Sequence, residues 1–241
     1  MGPGRVVRRG AERHHRLDEV HPGSDQVRLR IGREREPGCA EEDRSAKDAR
    51  VTHAPIHAVI RARGSSRAYD AQRRVAAETI DALLEAARWA ASGGNLRPWR
   101  YLVFDDRRPP ALEEARACLD AGNQVWARRA PLLSLAVMKE NRPSGKPNAT
   151  ALHDVGMANA HLLLQATTMG LHCRPMAGFD ATRGARSFGI PEGYRPVVMI
   201  ALGYPGNPAA LPVDLQASES AARQRRPVAE SAFLGRWEPG R

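Results

Sequence analysis

The 241-residue chain predicts an α+β fold, a sandwich of helices around one sheet. Three observations carry this. From about residue 55 onward, helical and strand periodicities alternate along the chain. The run from Leu152 to Met169 is apolar on nearly every side, which predicts a central helix buried on most faces. Only three strand signals stand out, too few for a doubly wound parallel sheet. The length suffices to bury a sizeable core in a single domain.

Residues 1–50 hold 12 basic and 10 acidic side chains, no Phe, Trp or Tyr, and 13 residues of the hydrophobic set. Such a segment buries too little apolar area to offset its ordering entropy, so it is expected to be a disordered or loosely attached extension, with the domain spanning 51–241. Ile80, Leu83, Leu84, Ala87 and Ala91 at helical spacing predict an amphipathic helix over Val75–Ala91, stopped by Gly93 and Gly94. "WRYLVF", Trp99–Phe104, reads as a strand, Pro110–Ala121 as a helix, and "PLLSLAVM", Pro131–Met138, as a buried strand. Lys139–Ala149, rich in Pro, Gly and Asn, is a loop. After the central helix, which stops at Gly170, come a short helix near Arg183–Phe188 and the strand Val197–Leu202. Asp180 is placed to cap that short helix.

The net charge is +10, of which residues 1–50 supply only +2, so the basic character belongs mainly to the domain. That charge suits an anionic ligand, a nucleic acid or a membrane surface. Cys39, Cys118 and Cys173 form no C-x-x-C pair, which points to a reducing, cytoplasmic setting without a zinc site. No apolar run approaches the roughly 20 residues of a membrane span. G-x-S-x-G, H-E-x-x-H and Walker loops are absent, and the glycines before Trp99 do not follow a strand, against a dinucleotide fingerprint.

Four stretches carry candidate chemistry. In "RARGSSRAYD", Arg61–Asp70, extended backbone would put Arg63, Ser65 and Arg67 on one anion-binding face; the stretch also reads as a solvated turn. "ASGGNLRPW", Ala91–Trp99, brings small residues beside Asn95, an arrangement suited to a planar polar ligand, or simply ends a helix. "MAGFD", Met176–Asp180, is a loop before a helix. Arg223, Arg225 and Arg226 cluster near the C-terminus, as a solvated face or an anion site. His153 and Asp154 adjoin at the start of the central helix, as a cap or an acid/base pair.

In this order and spacing, over about Ile56–Phe233, the stretches resemble the nitroreductase family of FMN-dependent NAD(P)H oxidoreductases. "RGSSRAYD" resembles its Arg-x-Ser-x-Arg-x-aromatic opening, "ASGGNLRPW" its Pro-Ser-Ser/Gly-x-Asn-x-Gln-Pro-Trp segment, "NQVWARRAPLL" its asparagine-bearing stretch, "MAGFD" its flavin-facing loop, and "LGYP" the end of its last core strand. The resemblance implies a three-layer sandwich with a central, mixed but mainly antiparallel sheet, and an intertwined homodimer with FMN at the interface. It implies that Arg63 and Ser65, with Arg223 and Arg225, hold the FMN phosphate, that Arg67 lies by N1/O2, and that Asn123 bonds the pyrimidine edge. Ser92, Gly93 and Asn95 would reach the partner subunit's flavin, and Ala177 and Gly178 would present backbone near N5.

The implied activity passes hydride from NADH or NADPH through flavin N5 to a nitroaromatic, quinone or similar small-molecule electron acceptor by ping-pong kinetics. Arg67 would be the catalytic residue, steadying the charge of the reduced ring. The alternatives are other flavin chemistry on the same fold, namely dehalogenation, ring oxidation or flavin cleavage, and a basic nucleic-acid-binding module. Few aromatics and no basic–aromatic interleaving argue against the last, so no nucleic-acid or membrane partner is expected. Ala91 replaces the family's usual proline, Arg97 its glutamine, and Ala177 a glutamate found in some members. The short link after Met138 implies that a substrate-covering helix is missing.

Overall fold

The computed structural model of the chain describes residues 55–237; the expectations for residues 1–50 lie outside the described residues. In chain order the elements are helix α1 (Ala58–Ala62), α2 (Ala77–Arg88), strand β1 (Trp99–Asp105), α3 (Pro109–Ala117), α4 (Ala121–Ala127), β2 (Leu132–Lys139), α5 (Ala151–Thr168), β3 (His172–Met176), α6 (Ala181–Ser187), β4 (Tyr194–Gly203) and α7 (Val213–Ser220). The sheet runs β1-β2-β4-β3, and each neighbouring pair is antiparallel. Leu135 lies opposite Leu102 on one side and Met199 on the other, while the β2–β4 register shifts at Ala136/Val137.

The side-chain period of two explains the layers. Leu132, Ala136 and Met138 of β2 face one core, with Ile80, Leu83 and Ala87 of α2 and Val155, Ala158 and Leu162 of α5. Leu133, Leu135 and Val137 face the other, with Leu112 and Ala115 of α3, Trp126 of α4 and Tyr69. The seven residues Leu132–Met138 are all buried, which is why "PLLSLAVM" has no polar alternation.

Several expectations change. The helix assigned to Val75–Ala91 ends at Arg88, because Trp89 closes it by donating its backbone N–H to Glu85 O and Ala86 O; Gly93–Asn95 then makes a separate 3₁₀ turn. The helix assigned to Pro110–Ala121 ends at Ala117, and a second helix begins at Ala121, capped by Asp120, whose side chain accepts from Asn123 N at 2.7 Å. In this chain α5 is buried along one stripe, Ala151, Val155, Ala158, Leu162 and Ala166, and Leu152 is 54% exposed. The link from Lys139 to Ala151 contains a turn pinned by the Asn141–Pro147 bridge and no helix.

The segment before α2 is tied to the end of β4 through the Tyr69–Pro205 bridge and a bond from Gly206 N to Ala68 O at 3.1 Å. A Cβ on Gly206 would come within 2.2 Å of the Tyr69 carbonyl carbon, backbone that cannot turn aside. Gly206→Ala should therefore lower unfolding stability by about 1–3 kcal/mol, measured by urea denaturation. Gly64→Ala, where a Cβ meets nothing within 4 Å, should stay within about 1 kcal/mol of the parent.

Candidate active site

Three groups of sequence-selected residues occupy three places in the fold. The first is the segment Arg63–Arg67, which lies off the sheet and draws on residues far along the chain. Arg174, in the middle of edge strand β3, donates from Nη1 to Ser65 O at 2.6 Å and to Ser65 Oγ at 3.4 Å. Arg223 donates from its two Nη atoms to Arg61 O and Arg63 O, each at 2.6 Å. The structure thus brings Arg223 to Arg61 and Arg63 through their backbone carbonyls, while Ser65 is held by Arg174 instead. The guanidinium of Arg63 bonds Gly64 O, and that of Arg225 bonds Gln224 O.

On the other side of the same segment, the Glu219 carboxylate accepts from Arg67 N at 2.9 and 3.1 Å, from Ala68 N at 3.4 Å, and from Ser66 Oγ. Burial by itself raises the Glu219 carboxyl, but the bonds from Ser66, Arg67 and Ala68 outweigh it and hold the group below its usual range. Burial first, and then the neighbouring Arg67, lower the Arg174 guanidinium, against the pull of Tyr69 and Glu219.

The second group is Asn123 with Gly178. Asn123 Nδ2 donates to Gly178 O at 3.0 Å, and Asp120 N donates to the same oxygen at 3.1 Å. A Cβ on Gly178 would fall 1.9 Å from Asp120 Oδ2 and 2.8 Å from Asn123 Nδ2, so only glycine allows this approach. Ala177 next to it is exposed. Asp180 caps α6 as expected, accepting from Arg183 N at 2.8 Å.

The third group is the turn Ser92–Gly93–Asn95, seated on the start of α5. Gly93 N donates to Asp154 Oδ2 at 3.2 Å, and a Cβ there would come within 2.8 Å of Thr150 Oγ1. Asp154 is therefore neither the helix cap, which is Thr150, nor paired with His153; it is a buried acceptor that anchors this turn. Asn95 (φ 54°) and Arg97 (φ 45°) both adopt the left-handed region, which asparagine tolerates and arginine pays for at about 1–2 kcal/mol. The bond from Arg97 N to Ser92 Oγ at 3.0 Å offsets part of that. No hydrogen bond joins this turn to the other two groups among the described residues.

Two residues near the first group escaped the sequence reading, Arg174 and Glu219. Arg174 sits in "HCRPM", where a proline and a basic residue mask a short edge strand. Glu219 lies on α7, none of whose residues is buried, so no apolar stripe marks that helix.

Comparison with known proteins gives the family of the chain. The model of the nitroreductase family matches residues 60–204. A Mycolicibacterium smegmatis protein described as an uncharacterized 15.4 kDa protein in the ask 5′ region is 37% identical over 119 residues, 49% of this chain and 79% of its own length. A Bacillus subtilis protein with the provisional name NAD(P)H nitroreductase YdgI is 26% identical over 182 residues, 60% of this chain and 86% of its own length. A crystal structure described as an oxidoreductase containing FMN superposes with a TM-score of 0.73 at 30% identity, covering 81% of this chain and 99% of that one. The chain belongs to the nitroreductase family.

Two predictions follow from the buried groups. Asp154→Ala should cost about 1–3 kcal/mol and speed amide exchange at Gly93, read by hydrogen–deuterium exchange. Burial pushes the Cys173 thiol up to about 11, against the pull of Arg63, and raises the Cys118 thiol too. Burial thus suppresses deprotonation of both, and neither thiol should be alkylated at pH 8 until the protein is unfolded, as checked by peptide mapping.

Proposed function

We propose that the protein is an FMN-dependent NAD(P)H oxidoreductase that acts on a nitroaromatic, quinone or similar electrophile, as a homodimer in the cytoplasm. The observation that carries this reading is the placement of the first two groups along one strand. Arg174 in β3 holds Ser65, and the same strand leads into Ala177–Gly178 against Asn123. Gly178 lies four residues on from Arg174, at most roughly 13 Å along the chain. One end offers guanidiniums and a serine hydroxyl, the other an amide and exposed backbone.

That donor set fits FMN, which is anionic at one end and flat and polar at the other. Arg63, Ser65, Arg223 and Arg225 would hold the phosphate, Asn123 the pyrimidine edge, and Ala177 and Gly178 would lie along the ring. Bound FMN would supply the two-electron chemistry between NAD(P)H and the acceptor. The chain's own part is to bind and orient, and to place the Arg67 cation where negative charge develops on reduction. The relatives' names, an NAD(P)H nitroreductase and an oxidoreductase containing FMN, support the same assignment.

A second copy is supported by apolar surface that one chain leaves uncovered: Trp89 is 73%, Val125 55% and Leu152 54% exposed. No hydrogen bond among the described residues joins the Ser92–Asn95 turn to the other two groups, in keeping with a contribution to the partner's site. No helix among the described residues is long and apolar enough to cross a membrane.

The purified protein should carry, or take up, FMN at one per chain with the visible absorption of a flavin, and should sediment as a dimer. A preparation that stays colourless with saturating FMN would sink the proposal. Arg67→Ala should slow reduction of the bound cofactor by NAD(P)H on the order of 100-fold in stopped flow.

A further inference from the structure

We propose that Glu219 is a positioning residue for Arg67, and that through it the C-terminal helix α7 sets the cofactor site. The inference rests on the FMN reading above. Both ends of Arg67 are bonded to consecutive residues of α7: its peptide N–H to Glu219, and its Nη1 to Ser218 Oγ at 3.1 Å. Ser66 Oγ and Ala68 N complete the set around the same carboxylate.

The grip leaves Ser65 out: Ser65 bonds Arg174 while Ser66 bonds Glu219, so Glu219 holds the segment without using the Ser65 hydroxyl. A few residues on, Arg223 fastens the carbonyls of Arg61 and Arg63. Residues 218–223 therefore act as a strap across the segment that carries Arg63, Ser65 and Arg67.

Charge explains why the strap ends in a carboxylate. Arg67 and Arg174 repel each other, and Glu219 favours the charged form of Arg174. A fixed anion at this point offsets part of the repulsion between neighbouring guanidiniums. Helix α7 contributes no fully buried residue to either core; Leu215 packs against the edge of one and Gln216 bonds Leu211 O at 2.8 Å, and the bonds to this segment add a polar hold.

The test is a double-mutant cycle read by FMN affinity, from quenching of flavin fluorescence, rather than by turnover. Glu219→Ala should raise the FMN Kd about 10-fold in the parent and less than about 2-fold in an Arg67→Ala background. A role confined to general stability would give the same factor in both backgrounds, and that result, or an unchanged Kd in the parent background, overturns the proposal. If Glu219→Ala fails to fold by circular dichroism, Glu219→Gln takes its place in the cycle, with the same two readings. A parent protein that binds no FMN removes the FMN reading and this inference together; a parent that binds FMN with an additive cycle removes the inference alone.

Discussion

The segment from Arg61 to Asp70 has no strand beside it apart from the Tyr69–Pro205 bridge, and every consequence for the site stems from satisfying its backbone. Peptide groups outside a ladder bond to side chains, to other segments or to water. Apart from Tyr69, within the segment, the partners here come from four distant parts of the chain. The carbonyls of Arg61 and Arg63 take Arg223, and that of Ser65 takes Arg174. The Ser66 carbonyl takes Tyr69 Oη, that of Ala68 takes Gly206 N, and Asp70 N finds Tyr204 O. Arg67 N and Ala68 N take Glu219. Because several partners are charged side chains, closing the backbone accounts also concentrates charge around Ser65 and Arg67.

The sheet serves this arrangement by being buried on both faces at its centre. With β2 and β4 in the middle, their apolar runs fix two cores, and β3 is left at an edge, where its proline and Arg174 are tolerated. An edge strand can turn one side chain toward a neighbouring segment and then leave the sheet, as β3 does in the turn at Ala177–Gly178. Position in the sheet, more than the composition of β3, makes it the link between the two halves of the site.

Much of the site was legible because its residues serve two purposes at once. Gly178 was selected as part of "MAGFD", and the structure shows what a Cβ there would meet: the Asp120 carboxylate and the Asn123 amide. Gly93 was selected as a helix stop, yet its necessity comes from Thr150 and Asp154 across the fold. The long strands were legible from unbroken apolar runs. Helix α4 was not, since seven residues span barely two turns and show no usable period. Strand β3 was hidden by its polar and proline content, and α7 by the absence of a buried face.

By itself the sequence determined what local chemistry decides: which runs must be buried, where turns need small residues, and that arginines and serines alternate over Arg63–Arg67. Tertiary structure alone decided which charges meet. Arg174 and Glu219 lie 109 and 152 residues from their partners Ser65 and Arg67, and pairing at that range is set by how the layers pack and the C-terminal segment returns. Periodicity reports which face of an element is apolar; it carries no information about what crosses to meet a polar one.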